Sequence, residues 1–181
     1  MSVVAVKVFD VPVEWKWYTV TVEHNTATND HRLIIDTVLI SINGQKVAMN
    51  SESDTIKELF DLPIEVENVG HTINLTVNQE PLTPYLERYS KDRATWEVEI
   101  GKGAKSKLLF DFVQCKAVFK GQNAKIVKAP TFTSDGVEAL VVVDKFHFRI
   151  LRKAGHQGIE DVLFVNGNSA AIASFNPKSN Q

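Results

Sequence analysis

The chain has 181 residues, of which 44% are hydrophobic and 23% charged, a composition typical of a globular protein that excludes an intrinsically disordered one. The net charge is −2, but residues 1–90 carry six basic and 13 acidic side chains, whereas residues 91–181 carry 14 and nine. Halves of −7 and +5 indicate two domains that attract each other, or head-to-tail association of copies. An uneven distribution of surface charge explains the numbers equally well.

The start of the chain lacks the features of a targeting segment. No basic n-region precedes its short apolar run, and no later stretch has the length of a membrane span. The single cysteine, Cys115, excludes an internal disulfide and fits a reducing compartment. We therefore expect a cytoplasmic protein without a membrane partner.

Apolar residues recur at a spacing of two along the whole chain, which is the pattern of strands with one buried face. No segment shows a sustained helical period, so the sequence predicts an all-β protein. The alternating sets are Tyr18, Val20 and Val22; Val38, Ile40 and Ile42; Ile73, Leu75 and Val77; Trp96, Val98 and Ile100; and Phe146, Phe148 and Ile150.

Four of the apolar runs end in a two-residue turn signal. The signals are Asn43-Gly44, Asn78-Gln79, Lys120-Gly121 and Asn166-Gly167. Asn-Gly predicts a type I′ hairpin because both turn positions need a positive φ, which Asn and Gly tolerate. Two signals fall in each half, which favours a duplicated β domain.

Two prolines, Pro81 and Pro84, separate the halves and indicate a linker. Within it, Leu82, Tyr85, Leu86 and Tyr89 have the i, i+3, i+4, i+7 spacing of one or two helical turns. A second helix is possible at residues 55–60, where Thr55 and Glu58 have capping-box spacing, with a strand as the alternative. We predict two tandem antiparallel β-sandwich-like domains: an acidic domain 1–80, a linker 81–92, a basic domain 93–175 and a frayed tail 176–181.

No group of residues has the pattern of an enzyme active site. Cys115 alternates with Val113 and Ala117, which predicts a buried structural thiol rather than a nucleophile. The loop at residues 101–107 lacks the spacing of a P-loop and is interpreted as a basic hairpin loop. The five histidines have no metal-ligand spacing, although the first two could meet across a hairpin: they are His24, His31, His71, His147 and His156. We predict no catalytic, cofactor-binding or metal-binding residues.

Two further segments bear on interactions. The second half is rich in lysine, but its aromatic residues alternate as core residues do, so the pattern does not favour nucleic-acid binding. The run at residues 137–143 is apolar on both faces, which favours a central strand. At a sheet edge the same run would pair with another strand, with Asp144 and Lys145 as gatekeepers.

The order of segments resembles the Fas apoptotic inhibitory molecule family over nearly the whole chain. The first half matches in the segment from Tyr18 to His24 and in the strand that ends at Asn43-Gly44. The most specific match is Tyr85-Leu-Glu-Arg-Tyr-Ser-Lys91 with Thr95-Trp96 shortly after it. Residues 146–150 and 159–167 resemble the closing hairpin of the family's second domain.

The resemblance implies a non-enzymatic, cytoplasmic, anti-apoptotic protein that acts by protein–protein interaction and suppresses aggregation of misfolded clients. Strand addition at an exposed sheet edge is one way to bind them. The alternative is a β-sandwich that binds a small ligand or carbohydrate, with Trp15 and Trp17 as a stacking platform on one side of a strand. A hydrolase built from separate loops is a third hypothesis.

Overall fold

The structure, a computed structural model, describes residues 3–69 and 72–169, so His71 and the predicted tail 176–181 lie outside the described residues. The chain forms two compact units that divide between Tyr89 and Ser90. Four antiparallel sheets make up these units, and within each sheet strands adjacent in sequence are hydrogen-bonded neighbours. The all-β prediction is therefore confirmed. Neither helix in the described part of the chain is long and apolar enough to cross a membrane.

The first unit contains a five-stranded sheet, a three-stranded sheet and two helices. The five strands are β1 (Val4–Val13), β2 (Lys16–Asn25), β3 (Asp30–Ile35), β4 (Val38–Ile42) and β5 (Gln45–Lys46). Then follow α1 (Asp54–Asp61), β6 (Ile64–Val69), β7 (Thr72–Val77), β8 (Glu80–Pro81) and α2 (Leu82–Lys91). The inner faces of both sheets and one side of each helix share a single apolar core.

Helix α2 occupies the segment in which the apolar spacing predicts helical turns. Its four apolar residues, Leu82, Tyr85, Leu86 and Tyr89, are all buried in the core of the first unit. The hydroxyl of Tyr85 donates to the carbonyl of Pro12 at 2.6 Å, and that of Tyr89 donates to the carbonyl of Glu14 at 2.8 Å. The apolar side of α2 is thus part of the first unit's core.

Helix α1 confirms the helical alternative for residues 55–60 but not its capping box. The residue before the helix is Ser53, and no side chain caps the N-terminus. Glu58 instead accepts a hydrogen bond from the Tyr18 hydroxyl at 2.6 Å and pairs with Lys16 at 3.3 Å. Burial and this carboxylate raise the pKa of Tyr18. Glu58 therefore links α1 to β2, a tertiary contact that the spacing of residues in the sequence does not predict.

The second unit contains a four-stranded and a five-stranded sheet. The first has β9 (Arg93–Gly101), β10 (Ala104–Asp111), β11 (Lys116–Phe119) and β12 (Gln122–Asn123). The second has β13 (Lys125–Thr133), β14 (Gly136–Val143), β15 (Phe146–Gly155), β16 (Gly158–Val165) and β17 (Asn168–Ser169). Their shared core holds the fully buried aromatic residues Trp96, Phe110, Phe119 and Phe148.

All four predicted turns are present, and each leads into the two-residue strand that ends its sheet. Both residues of every turn have a positive φ, which is 51–53° at the first position and 63–81° at the second. Asn43 and Asn166 have a second role, because their side-chain oxygens accept the backbone N–H of His31 at 2.7 Å and of His147 at 2.8 Å. Asn suits these turns because it tolerates the left-handed conformation and also supplies an acceptor.

The predicted alternation holds in most strands and fails in β4. Val20 and Val22 are buried, as are Trp96, Val98 and Phe148. In β4, however, Ile40 and Ser41 are both buried and Ile42 is 39% exposed. The pairing of β3 with β4 shifts between Leu33 and Ile34, which is the mark of a bulge, and the extra residue reverses the faces beyond it.

Cys115 does not lie in a strand as predicted. It is the last residue of the turn between β10 and β11, has a φ of 51° and is half-buried. Asp111 builds this turn, since its carboxylate accepts the backbone N–H of Val113 at 2.9 Å and of Gln114 at 2.7 Å. The aspartate turns the chain where the apolar alternation alone predicted that the strand would continue.

Candidate interaction surface

Strand β1 forms one edge of the five-stranded sheet. Among the described strands it pairs with β2 alone, through ten consecutive pairs from Val4–Asn25 to Val13–Lys16 without a bulge. Near its C-terminal end, the carbonyl of Pro12 also accepts the Tyr85 hydroxyl of α2. A regular edge strand presents an unpaired row of backbone N–H and C=O groups, which can template the pairing of another strand. The backbone edge of β1 is therefore a candidate binding surface.

The outward face of β1 is apolar. Val4, Val6 and Val8 are 51%, 56% and 52% exposed. They share that face because side chains alternate along a strand, and the opposite face carries Phe9, which pairs with the buried Val20. β-Branched side chains favour the strand conformation, so this exposed stripe suits strand pairing in both backbone and side chains.

A cleft of about 170 Å³ opens on the other face of β1, within the first unit. Apolar side chains from the two sheets form most of its wall, and its polar groups come from β1, β2 and β7. Its lining includes Phe9, Val22, Ile73 and Leu75, together with Lys7 and His24. A strand added beside β1 would alternate its own side chains between the valine stripe and the side of this cleft.

The second unit has two long edge strands, β9 and β13, and the pairing of β9 with β10 shifts between Ala104 and Lys105. Strand β13 is the less regular of the two. Its pairing with β14 shifts twice, between Ile126 and Lys128 and between Lys128 and Thr131, and it contains Pro130. Val127 is 57% exposed and Phe132 is 88% exposed. Bulges protect a sheet edge from pairing. Both β1 and β13 contain proline and lysine, but β13 is bulged and β1 is not. Of these long edge strands, β1 is therefore the one suited to accept another strand.

The run at residues 137–143 lies in β14, which is hydrogen-bonded to both β13 and β15. The prediction of a central strand is confirmed. The surface that does lie at an edge, β1, was not singled out from the sequence. The sequence feature that could have identified it is the spacing of Val4, Val6 and Val8, which places all three on one face, with Asp10 as the first polar residue on that face.

Apart from His24 and His31, the remaining candidate residues do not come together. Trp15 lies in the turn before β2, so it shares no strand face with Trp17, which packs edge-on against Tyr89 with ring centroids 6.0 Å apart. The basic hairpin loop interpreted at residues 101–107 is a shorter turn: Lys102 and Gly103 connect β9 to β10, and residues 104–107 belong to β10. The described residues hold no cluster of three or more His, Cys, Asp or Glu side chains able to bind a metal.

His24 and His31 do meet across a hairpin, directly opposite each other on β2 and β3. His24 forms a hydrogen bond with the Asn29 side chain at 3.0 Å. His31 is 6% exposed, and neither of its ring nitrogens has a hydrogen-bond partner among the described residues. Burial, followed by the neighbouring His24, lowers the pKa of His31. The folded first unit therefore holds this imidazole in its neutral form at neutral pH.

This arrangement predicts acid sensitivity. An unfolded histidine has a pKa of about 6.5. Because the folded pKa of His31 lies lower, the unfolded chain binds more protons below that pH, and the free energy of unfolding should fall as pH drops from about 7 to 5. His31→Leu should flatten this dependence, because leucine does not bind a proton. Urea unfolding at several pH values measures it.

His147 provides the matched control for this prediction. Its backbone N–H donates to the turn residue Asn166 just as that of His31 donates to Asn43, but its side chain is exposed. His147→Leu should leave the pH dependence unchanged. Equal pH profiles for wild type and His31→Leu would show that His31 does not carry the effect.

A comparison with known families gives a match over nearly the whole chain. The model of the Fas apoptotic inhibitory molecule (FAIM1) family matches residues 5–173, which is nearly the full length. A search among individual curated proteins gives no match. The family match includes β1, both helices and the elements of both units. The chain therefore belongs to the Fas apoptotic inhibitory molecule family.

Proposed function

We propose that this protein is a non-enzymatic, cytoplasmic inhibitor of apoptosis that acts by binding other proteins, and that it holds aggregation-prone clients through β1. Family membership supports the anti-apoptotic part of the proposal. The single cysteine is in keeping with a reducing compartment. The client-binding part rests on one observation, the regular edge strand β1 with its three exposed valines.

The chemistry of β1 matches that of a misfolded client. Aggregation-prone segments are short, uncharged and rich in β-branched residues, and they propagate by pairing edge to edge. Such a segment can add to β1 by backbone hydrogen bonds and pack its side chains beside Val4, Val6 and Val8. Capping the client's own edge in this way would stop the next client molecule from pairing there.

The test is the delay that the protein causes in the aggregation of a heat-stressed model client. Val6→Lys places a charge in the middle of the β1 stripe and should weaken the protection about tenfold, which corresponds to a loss of ~1.4 kcal/mol of binding free energy. The concentration that halves the aggregation rate is the quantity to measure. Circular dichroism and thermal unfolding should confirm that the variant remains folded.

Val127→Lys is the matched control, because Val127 is 57% exposed and Val6 is 56% exposed, and both lie on edge strands. This variant carries the same added charge on the bulged strand β13. It should protect the client as well as the wild type does. Equal losses in both variants would indicate a nonspecific charge effect, and no loss in Val6→Lys would remove β1 from the proposal.

The ligand-binding alternative has less support. The cleft beside β1 has a volume of about 170 Å³, whereas pockets for drug-sized ligands span roughly 300–1,000 Å³. Trp15 and Trp17 do not form a common platform, because only Trp17 belongs to a strand. We therefore prefer protein binding.

A further inference from the structure

We propose that two copies of this protein pair through their β1 strands, antiparallel and centred on Val6, so that their five-stranded sheets join edge to edge. The inference starts from the same strand as the proposed function, but it does not depend on that function. It concerns what occupies the β1 edge when no client is present. A second copy is the occupant that the strand's own sequence specifies.

Symmetry restricts how β1 can pair with itself. Two identical antiparallel strands are related by a twofold axis perpendicular to the sheet, so each contact occurs twice. Residues directly opposite each other must also project from the same face. Together these conditions require one residue to lie directly opposite its own copy, with the axis midway between the two. An axis at any intermediate position would set outward side chains opposite inward ones. Few registers remain.

Charge and exposure select among those registers. An axis at Lys7 would set two ammonium groups opposite each other, which is destabilising. An axis at Val8 would set Val6 opposite Asp10 and Val4 opposite Pro12. The first register is therefore opposed by charge repulsion. The second leaves Val4 and Val6 without valine partners.

An axis at Val6 has neither defect. Val6 then meets Val6 of the second copy, and Val4 meets Val8 of the second copy on both sides of the axis. All three exposed valines of each copy thus pair with one another. On the opposite face Lys7 lies against the small Ala5 of the second copy, which leaves room for its long side chain and avoids a like charge.

The net charge predicts how salt affects this dimer. Residues 1–90, which contain β1, carry a charge of −7, so two first units repel each other at low ionic strength. Salt screens this repulsion and should tighten the β1 dimer. Head-to-tail association of the acidic half with the basic half would respond in the opposite way and weaken in salt.

Cysteine scanning tests the register directly in a Cys115→Ser background, which removes the single native cysteine. Val6→Cys places two thiols opposite each other at the axis, about 4.5–5.5 Å apart between Cβ atoms. Mild oxidation should convert most of it into a disulfide-linked dimer. Val8→Cys is the matched control, since its two copies are offset by four residues and lie about 14 Å apart along the strands, at about 3.4 Å per residue. It should crosslink at least about tenfold more slowly.

The combination of Val4→Cys with Val8→Cys should restore crosslinking, because those two positions face each other across the axis. Equal crosslinking rates for Val6→Cys and Val8→Cys would overturn the proposed register. In sedimentation experiments the wild-type chain should form a dimer that tightens in salt, and Val6→Lys should raise its dissociation constant at least about tenfold. A monomer at all concentrations, or a dimer that Val6→Lys leaves intact, would overturn the pairing.

These measurements separate the two proposals. If the wild type is monomeric and Val6→Lys still loses client protection, the proposed function stands and the dimer fails. If the dimer forms as described but no client is protected, the dimer stands and the proposed function fails. Where both hold, the oxidised Val6→Cys dimer should protect clients poorly because its β1 edges are occupied, and reduction should restore its protection.

Discussion

Replacing Phe119 with alanine should lower the free energy of unfolding of the second unit by about 3–5 kcal/mol. Phe119 is fully buried and packs edge-to-face against Phe146 and Phe148, with ring centroids 5.4 Å and 5.1 Å apart. The substitution removes the apolar area of one ring, leaves a cavity and abolishes both aromatic contacts. Equilibrium urea unfolding, followed by circular dichroism, measures the loss.

Phe132 is the control for this substitution. It is 88% exposed at the end of β13, so Phe132→Ala should change the free energy of unfolding by no more than about 0.5 kcal/mol. The two variants remove the same atoms from the same unit and differ only in burial. A loss below about 1 kcal/mol for Phe119→Ala would contradict the packing of this core.

Replacing Asp111 with alanine should cost about 3–4 kcal/mol, because a buried carboxylate with several partners is lost at once. The Asp111 side chain is 4% exposed and accepts a hydrogen bond from the Arg93 side chain at 2.9 Å. It also accepts the backbone N–H groups of Val113 and Gln114, which hold the turn between β10 and β11. The loss therefore affects both an ion pair and a turn.

Asp111→Asn separates these two contributions, since an amide oxygen can still accept the turn N–H groups but carries no charge. Its cost should lie between those of wild type and Asp111→Ala. Asp135→Ala is the control at an exposed turn and should cost less than about 0.5 kcal/mol. If all three variants unfold at the same urea concentration, Asp111 does not stabilise the turn.

Local chemistry made much of the fold predictable. The four two-residue turns need a positive φ at both positions, and Asn and Gly are residues that tolerate this conformation. Helix α2 was visible because Leu82, Tyr85, Leu86 and Tyr89 repeat at the helical period. Each of these features depends on residues that are close together in the sequence.

Two features did not follow from the apolar alternation, one set by the neighbouring strand and one by hydrogen bonds between a side chain and the backbone. The bulge opposite Leu33 reverses the faces of β4 and exposes Ile42, although the sequence alternates without a break. Cys115 lies in a turn because the Asp111 carboxylate reaches forward to bind the chain. Both outcomes arise from contacts that apolar spacing does not encode.

The sequence by itself determined that this chain is built from antiparallel strands, where four of its hairpins turn and to which family it belongs, because propensity, turn chemistry and motif are properties of neighbouring residues. Only the tertiary structure decided that β1 is an edge with Val4, Val6 and Val8 exposed, whereas the run in β14, apolar on both faces, already favoured a central strand. A strand with one apolar face alternates in the same way at an edge and in the centre of a sheet. What distinguishes them is whether a second strand lies alongside, and that is set by how the whole sheet is assembled.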